Sequence, residues 1–547
     1  MFSIPARRIS IRPKTTSSDP RTGDSKQVVC AQAKQLKLIA SLLKPAAYSH
    51  PVATLELIET HISWVILTGT FAYKIKKSIK LDFLDFSTLR QRQHFCEEEL
   101  RLNRRMAPQL YLDVVPICGS NKNPQVGGEG EAIEYALKMH QFPQSAQLDR
   151  QLDAGLLSKS DMLSLAERIA AYHQDAAKLD FISARETVRQ VSTPQLDNFP
   201  PIDSATNMRT THRVLAWTSQ SLRDLEHTLI ERHRNGYVRE CHGDLHLANL
   251  VRLPSGIVAF DCIEFSAELR NIDVISDVAF LAMDLVARAR QDLAAIFVNR
   301  YLECTGDYSG MCVFGLYFVY HCLIRAKVAA VRSSERHKAS ERAHDIEQLK
   351  HYLGVADRWT KRSSPIVVGM HGFSGSGKTW LSTQLMSELP AIRVRSDIER
   401  KRGLDLAETA SSESQPGRGA YTARARADVY ALMLEKIDGL IAAGFNVIAD
   451  ASFLTHTHRQ LLQAVANRSD AALVWIDASA DNDELLRRLR SRAVVGDDAS
   501  EADTRVLDYQ YKHADPLTAA ELKNTVFVVT DRQIDPGAII KSIKSMQ

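Results

Sequence analysis

An apolar run, Ile366-Val367-Val368-Gly369-Met370, feeds directly into Gly372-Phe373-Ser374-Gly375-Ser376-Gly377-Lys378-Thr379. This is a full match to G-x-x-x-x-G-K-[ST], and a helix-compatible stretch, Trp380–Leu389, follows it. Few features constrain a fold more tightly. The glycines let backbone N–H groups of residues 372–379, Ser374, Gly375, Ser376 and Gly377 among them, approach phosphate oxygens. Lys378 would reach the β/γ-phosphates, and the Thr379 hydroxyl would serve a magnesium ion. The following helix would point its positive end at the anion. That chemistry needs a buried parallel strand before the loop, so an α/β fold with a parallel sheet is expected over 366–547.

The downstream residues extend the pattern. Three further strands are expected at Ile392–Val394, Phe445–Ala449 and Leu473–Ile476. The first of these ends at Ser396-Asp397-Ile398-Glu399-Arg400 and the second at Asp450. Acidic residues at the carboxyl ends of parallel strands face the ligand crevice. A later arginine-rich helix holds Arg488 and Arg492 and opens into Gly496-Asp497-Asp498-Ala499-Ser500. This order resembles P-loop kinases of the gluconate-kinase, zeta-toxin and polynucleotide-kinase type, with an AAA-type ATP-binding domain. The resemblance implies that Asp397 and Arg400 face an acceptor, with Asp397 orienting or deprotonating its hydroxyl. It also implies that Arg488 and Arg492 belong to a lid that clamps phosphates, and that Asp450 is the acid beside the metal.

A second constellation lies upstream: Cys241-His242-Gly243-Asp244-Leu245-His246-Leu247-Ala248-Asn249, a short hairpin, then Phe260-Asp261-Cys262-Ile263-Glu264-Phe265. Kinase chemistry needs a carboxylate on the attacking hydroxyl, with an amide and a second carboxylate on Mg2+. The kinase catalytic loop has its Asp and Asn at the interval seen here between Asp244 and Asn249. With His-Gly-Asp in place of His-Arg-Asp, the stretch resembles the aminoglycoside phosphotransferase family, a branch of the protein-kinase-like fold. The resemblance implies Asp244 as catalytic base, and Asn249 and Asp261 as Mg2+ ligands. An Asp after residue 270 should brace the catalytic loop, and Asp277 and Asp273 are the candidates. His173 reads as structural.

A kinase small lobe pairs a strand lysine with a helix glutamate. Strands are expected at His61–Leu67 and Phe71–Ile75, and further ones at Asp113–Ile117 and Ala132–Met139. Lys74 is the candidate ATP-binding lysine, with Lys76 on the same face as its rival. Glu99 is the candidate partner, with Glu98 as alternative. No glycine-rich loop precedes Lys74, so the Thr68-Gly69-Thr70 turn is expected to cover the phosphates. Lys138–Phe142 is the expected hinge.

These readings give a two-domain chain: a basic, disordered tail at 1–32, a bilobal α+β protein-kinase-like domain at 33–359 beginning with a helix at Ala33–Leu43, a linker at 360–365, and an α/β P-loop domain at 366–547. The net charge of +4 traces to residues 1–28, with six basic residues against two acidic. The neutral remainder argues against a nucleic-acid partner. No run of 18 or more apolar residues marks a membrane span. Eight scattered cysteines without a Cys-x-x-Cys pair fit reduced, cytoplasmic thiols. The expected function is an ATP- and Mg2+-dependent kinase with two nucleotide sites and small hydroxylated acceptors. The alternatives are a kinase regulated by a C-terminal nucleotide switch, and a ligand-binding pseudokinase fused to an ATPase. Segment 278–358 is not conspicuously acidic, so a polycationic antibiotic is disfavoured as acceptor. The sequence does not set an oligomeric state.

Overall fold

The computed structural model describes residues 34–81, 84–206, 208–361, 364–407, 423–495 and 502–546, together with 410 and 500. The basic tail 1–32, residue 33 of the first expected helix, residues 362–363 of the expected linker and residues 496–499 beside the arginine-rich helix lie outside the described residues. The chain divides into two compact units. The first takes residues up to Asp161 with Ala171–Gln190 and Arg232–Leu281; the second takes Met162–Ala170, Val191–Glu231 and Ala282 onward.

In the first unit, six antiparallel strands form one sheet: β1 (Glu56–Glu59), β2 (Ser63–Leu67), β3 (Phe71–Lys76), β4 (Tyr111–Ser120), β5 (Asn123–Val126) and β6 (Ala132–His140), in the order β1-β2-β3-β6-β4-β5. Helix α1 (Leu89–Asn103) starts at a Thr88/Gln91 capping box, which satisfies amides at its first turn. Alternation decides the faces of β3. Tyr73 and Ile75 enter an apolar core with Leu38, Trp64 and Ile66, while Lys74 and Lys76 point to the other side. The hairpin β7 (Leu250–Leu253) and β8 (Gly256–Ala259) packs Val251 and Val258 against Leu110, Tyr111 and Leu137. Strands β1 and β5 were not anticipated: each has only four residues, and β1 shows no alternation of burial.

One turn falls elsewhere than expected. The Gly69 amide donates to Gln141 Oε1 at 2.8 Å, and the Gln141 amide donates to Thr70 O at 3.0 Å. Phe71 pairs with His140 and Lys76 with Ser63. The Thr68–Thr70 turn therefore closes the hinge end of the sheet and cannot cover phosphates, whereas the 60–62 connection between β1 and β2 lies at the opposite end.

The second unit contains long helices α2 (Gln291–Thr305), α3 (Met311–Glu335) and α4 (Ala339–Thr360). A window of Tyr308–Glu335 is long and apolar enough to cross a membrane by length and composition, yet most of it is buried inside the protein. Phe318 stacks on Trp359 of α4 with ring centroids 4.3 Å apart, as expected of a core helix. Five parallel strands follow: β9 (Ile366–His371), β10 (Ala391–Arg395), β11 (Asn446–Asp450), β12 (Ala472–Ser479) and β13 (Thr525–Val529), in the order β10-β11-β9-β12-β13. Central β9 is buried along nearly its whole length, which explains its unbroken apolar run. Strand β13 was not anticipated. Helices α5 (Lys378–Glu388), α6 (Ser396–Arg402), α7 (Ala423–Ala442), α8 (His456–Arg468), α9 (Asn482–Val495) and α10 (Thr504–His513) cross between and beside the strands.

Candidate functional site

Strand β3 and helix α1 bring the expected lysine and glutamate together. Lys74 Nζ lies 2.7 Å from Glu99 Oε1 and 2.5 Å from Asp261 Oδ1. Glu98 instead pairs with Arg101 and Arg270 on the outer face of α1. Lys76, the sequence rival, is equally engaged: its Nζ is 2.7 Å from Glu99 Oε2 and also contacts Glu264. An unbroken chain Asp261–Lys74–Glu99–Lys76–Glu264 results. Burial would raise the Asp261 carboxyl, but adjacent Lys74 outweighs it and holds the group at about 2. Glu264 goes the other way, pushed up by burial despite Lys76.

Asp261 adopts φ +63°, the left-handed region that non-glycine residues rarely occupy. Its amide donates to Tyr111 Oη at 3.0 Å, and the next amide, of Cys262, donates to Asn103 Oδ1 at 2.9 Å. These bonds hold the strained turn. In the preceding loop, Asn249 Nδ2 donates to both Asp244 O and Asp244 Oδ2 at 3.0 Å. Asp277 accepts from the His242 amide at 2.8 Å and the Gly243 amide at 2.9 Å, with His173 Nε2 at 3.3 Å. Asp277, not Asp273, thus braces the loop that carries Asp244; Asp273 is taken by Arg232 at 2.6 Å. Gly243 has φ +82°, and a Cβ there would lie 2.6 Å from Leu269 O, so only glycine fits. Burial lowers the His242 imidazole and keeps it neutral; its Nε2 bonds Phe260 O at 3.0 Å. Asp244, Asn249, Asp261, Lys74 and Glu99 lie within one unit, and the Phe260 amide, next to Asp261, donates to Asn249 O at 3.0 Å.

The second constellation lines a cavity of about 700 Å³. Ser374, Gly375, Gly377, Lys378, Thr379, Asp397, Arg400, Asp450, Arg488 and Arg492 all border it. Gly372, Gly375 and Gly377 have positive φ, and Gly377 caps α5. Lys378 Nζ donates to Gly372 O and Phe373 O at 2.8 Å, and burial lowers its ammonium to about 8. The buried Ser376 hydroxyl has no hydrogen-bond partner among the described residues. Asp397 pairs with Arg400 at 2.7 Å; burial would raise its carboxyl, but Arg400 and Arg395 outweigh that and lower it. Asp450 Oδ2 lies 2.9 Å from Ser382 Oγ. Arg488 is pinned by Glu484 at 2.7 Å and by Thr530 Oγ1 at 2.8 Å.

Residues 367–517 match the family model described as AAA domain. This places the P-loop domain on its strand-loop-helix. An uncharacterized protein of Mycobacterium tuberculosis is 28% identical over 460 residues, 83% of this chain and 90% of that one. Among solved structures, a choline kinase from Cryptosporidium parvum is similar over 60% of this chain and 96% of that chain, at 9% identity and TM-score 0.37. A gluconokinase from Sinorhizobium meliloti is similar over 34% of this chain and 93% of that chain, at 17% identity and TM-score 0.23. The chain thus joins a unit built on a six-stranded antiparallel sheet to a P-loop domain built on a parallel sheet.

Both donor sets suit Mg2+, a hard cation that takes oxygen. In the kinase-like region the donors would be the Asn249 amide oxygen, its nitrogen being committed to Asp244, and the Asp261 carboxylate. In the P-loop domain they would be Thr379 and Asp450. Several supporting residues escaped the sequence reading: Lys76 as a partner in its own right, Glu264, and Ser382 and Thr530 of the P-loop domain. Only Ser382, three residues after Thr379 and so on the same helix face, carried a local signal.

Proposed function

We propose that this protein is an ATP- and Mg2+-dependent phosphotransferase with two nucleotide sites, each serving a small hydroxylated acceptor. The observation that carries the reading is the Lys74 ammonium held between Glu99 at 2.7 Å and Asp261 at 2.5 Å, in one unit with Asp244 and Asn249.

In the kinase-like site, Asp244 takes the proton of the acceptor hydroxyl. Asn249 donates to Asp244 Oδ2 and so fixes the rotation of that carboxylate. Lys74 holds phosphate oxygens, with Glu99 as its permanent partner. Asn249 and Asp261 hold the metal, which when bound neutralises charge on the phosphates. Asp277 keeps the loop amides in place.

In the P-loop site, Lys378 and the backbone of 372–379 cradle the phosphates, and Arg488 and Arg492 flank them. Asp397 carries a lowered pKa beside Arg400, so it orients the acceptor hydroxyl and is a weak base. Among the described residues, six basic side chains border the cavity against two carboxylates. Three of them, Arg395, Arg400 and Arg426, belong neither to the Gly372–Thr379 loop nor to the arginine-rich helix, which favours an anionic acceptor.

The test compares Asp244→Asn with Asp261→Asn. A base that touches only the acceptor should leave nucleotide affinity nearly intact when replaced, whereas loss of a metal ligand should weaken Mg2+·nucleotide binding. Equal loss of affinity in both variants would refute the assignment. Within the P-loop site, Asp397→Ala should abolish transfer and leave slow ATP hydrolysis. A variant unchanged in both would favour a nucleotide switch.

A further inference from the structure

Helix α2 lies upstream of the 367–517 match, yet it meets the P-loop sheet within the same compact unit. Asn299 Nδ2 donates to Ala391 O at 2.9 Å, and the Arg393 amide donates to Asn299 Oδ1 at 2.6 Å. One turn further along α2, Glu303 receives the Arg393 guanidinium, with Nη2 at 2.7 Å and Nε at 3.2 Å from its Oε1. Both are buried, at 6% and 5% exposure. Burial would raise the Glu303 carboxyl, but Arg393, with Arg395 adding to it, outweighs this and keeps it ionised.

The guanidinium reaches past Glu303. Its Nη1 donates to Thr383 Oγ1 at 2.6 Å and to Ser382 Oγ at 3.1 Å, both on α5. The Ser382 hydroxyl lies 2.9 Å from Asp450 Oδ2 and 2.9 Å from Thr379 O. A hydroxyl has one hydrogen. With a lone pair filled by Arg393, that hydrogen favours the charged carboxylate, because charge-assisted bonds are the stronger. The oxygen of Asp450 is thereby aimed by a chain that ends on α2.

We propose that Glu303 is a positioning residue for the P-loop metal site, acting through Arg393 and Ser382 on Asp450. The inference rests on the reading of Thr379 and Asp450 as the metal-binding pair. It makes the P-loop site incomplete without helix α2. A fragment beginning at residue 366 would take from Arg393 both its carboxylate partner and the helix packed against its strand.

The experiment uses the full chain carrying Asp261→Asn, so that metal-dependent nucleotide binding reports the P-loop site. A fluorescent, non-hydrolysable ATP analogue is titrated with increasing Mg2+, and again in EDTA. Outer-shell partners typically change metal affinity by about 10–100-fold. Glu303→Gln keeps the side-chain shape and removes the charge. It should raise the Mg2+ midpoint about tenfold, with binding in EDTA unchanged. Ser382→Ala should do the same, and its small volume change spares the fold. Asn299→Ala removes the backbone tie of Arg393 but leaves its guanidinium bonds to Glu303 and Ser382 in place, so its Mg2+ midpoint should shift clearly less than theirs. The inference is overturned if Glu303→Gln and Ser382→Ala leave the midpoint within twofold while Lys378→Ala still abolishes binding. It is also overturned if Asn299→Ala shifts the midpoint as far as they do, since that would mark a purely structural interface. Absence of any Lys378-dependent binding would remove the parent reading, and this inference with it.

Discussion

Lys76 and Glu264 form a buried ion pair, 1% and 4% exposed, that ties strand β3 to the loop three residues past Asp261. Glu99 accepts from both strand lysines at 2.7 Å. The arrangement divides labour. On the proposed reading, Lys76 balances the charge of Glu99, so that Lys74 could exchange Asp261 for phosphate oxygens. Breaking a buried pair by removing one partner costs about 3–5 kcal/mol, whereas removing both charges is often neutral. Glu264→Leu leaves Lys76 its bond to Glu99 and should destabilise by about 3 kcal/mol at most, whereas Lys76→Met strips a cation from both Glu99 and Glu264 and should cost more. Urea unfolding followed through tryptophan emission measures both. A Lys76→Met variant no less stable than Glu264→Leu would contradict the division of labour.

Asp277 accepts two catalytic-loop amides, from His242 and Gly243. An asparagine can accept at one of its two positions but would present N–H to the other. Misplacement by an ångström can cost about 100-fold in rate. Asp277→Asn should lower N-terminal turnover by about 10–100-fold and leave nucleotide affinity within about twofold. Steady-state kinetics in a Lys378→Ala background checks this. Equal losses in affinity and turnover would point instead to general unfolding of the loop.

Lys378 gives a pH dependence with a definite sign. Burial lowers its ammonium from 10.5 to about 8, so the free site loses its charge as pH rises through 8. Phosphates bind the protonated form. Nucleotide affinity at the P-loop should be flat in this group below pH 8 and fall above it, by up to about tenfold per pH unit. The unfolded chain binds more protons than the folded one between about 8 and 10.5, so this group's contribution to stability rises with pH across that window. Binding measured at pH 7, 8 and 9 in an Asp261→Asn background checks the affinity. Lys378→Arg should flatten the profile; a steep fall retained in that variant would assign the titration elsewhere.

Legibility in the sequence followed locality. Gly372–Thr379 is contiguous, and its strand, turn and helix all carry their own residue signals, so the P-loop fold could be read directly. Asp244, Asn249 and Asp261 lie within one stretch at a recognisable spacing. Alternation puts Lys74 and Lys76 on one face, so the preference for Lys74 rested on its spacing from Ala72 alone; in the structure Glu99 holds both lysines, and Lys74 is the one that contacts Asp261. The Thr68–Thr70 turn was misread because a glycine turn beside the lysine strand looks the same at either end of the sheet. Its bond to Gln141, 72 residues away, decides the end. Glu303 and Arg393 are 90 residues apart, and no periodicity links them. Strand β13 was missed because Phe527 and Val529, exposed at 61% and 40%, blur the buried-strand pattern.

The central claim is that one chain carries two independent Mg2+·ATP sites. Titration calorimetry of the full chain with a non-hydrolysable ATP analogue and Mg2+ tests it most directly. The account predicts a stoichiometry near two, with Lys378→Ala removing one binding event and Asp261→Asn the other. A single event that survives Lys378→Ala and vanishes in Asp261→Asn would contradict it.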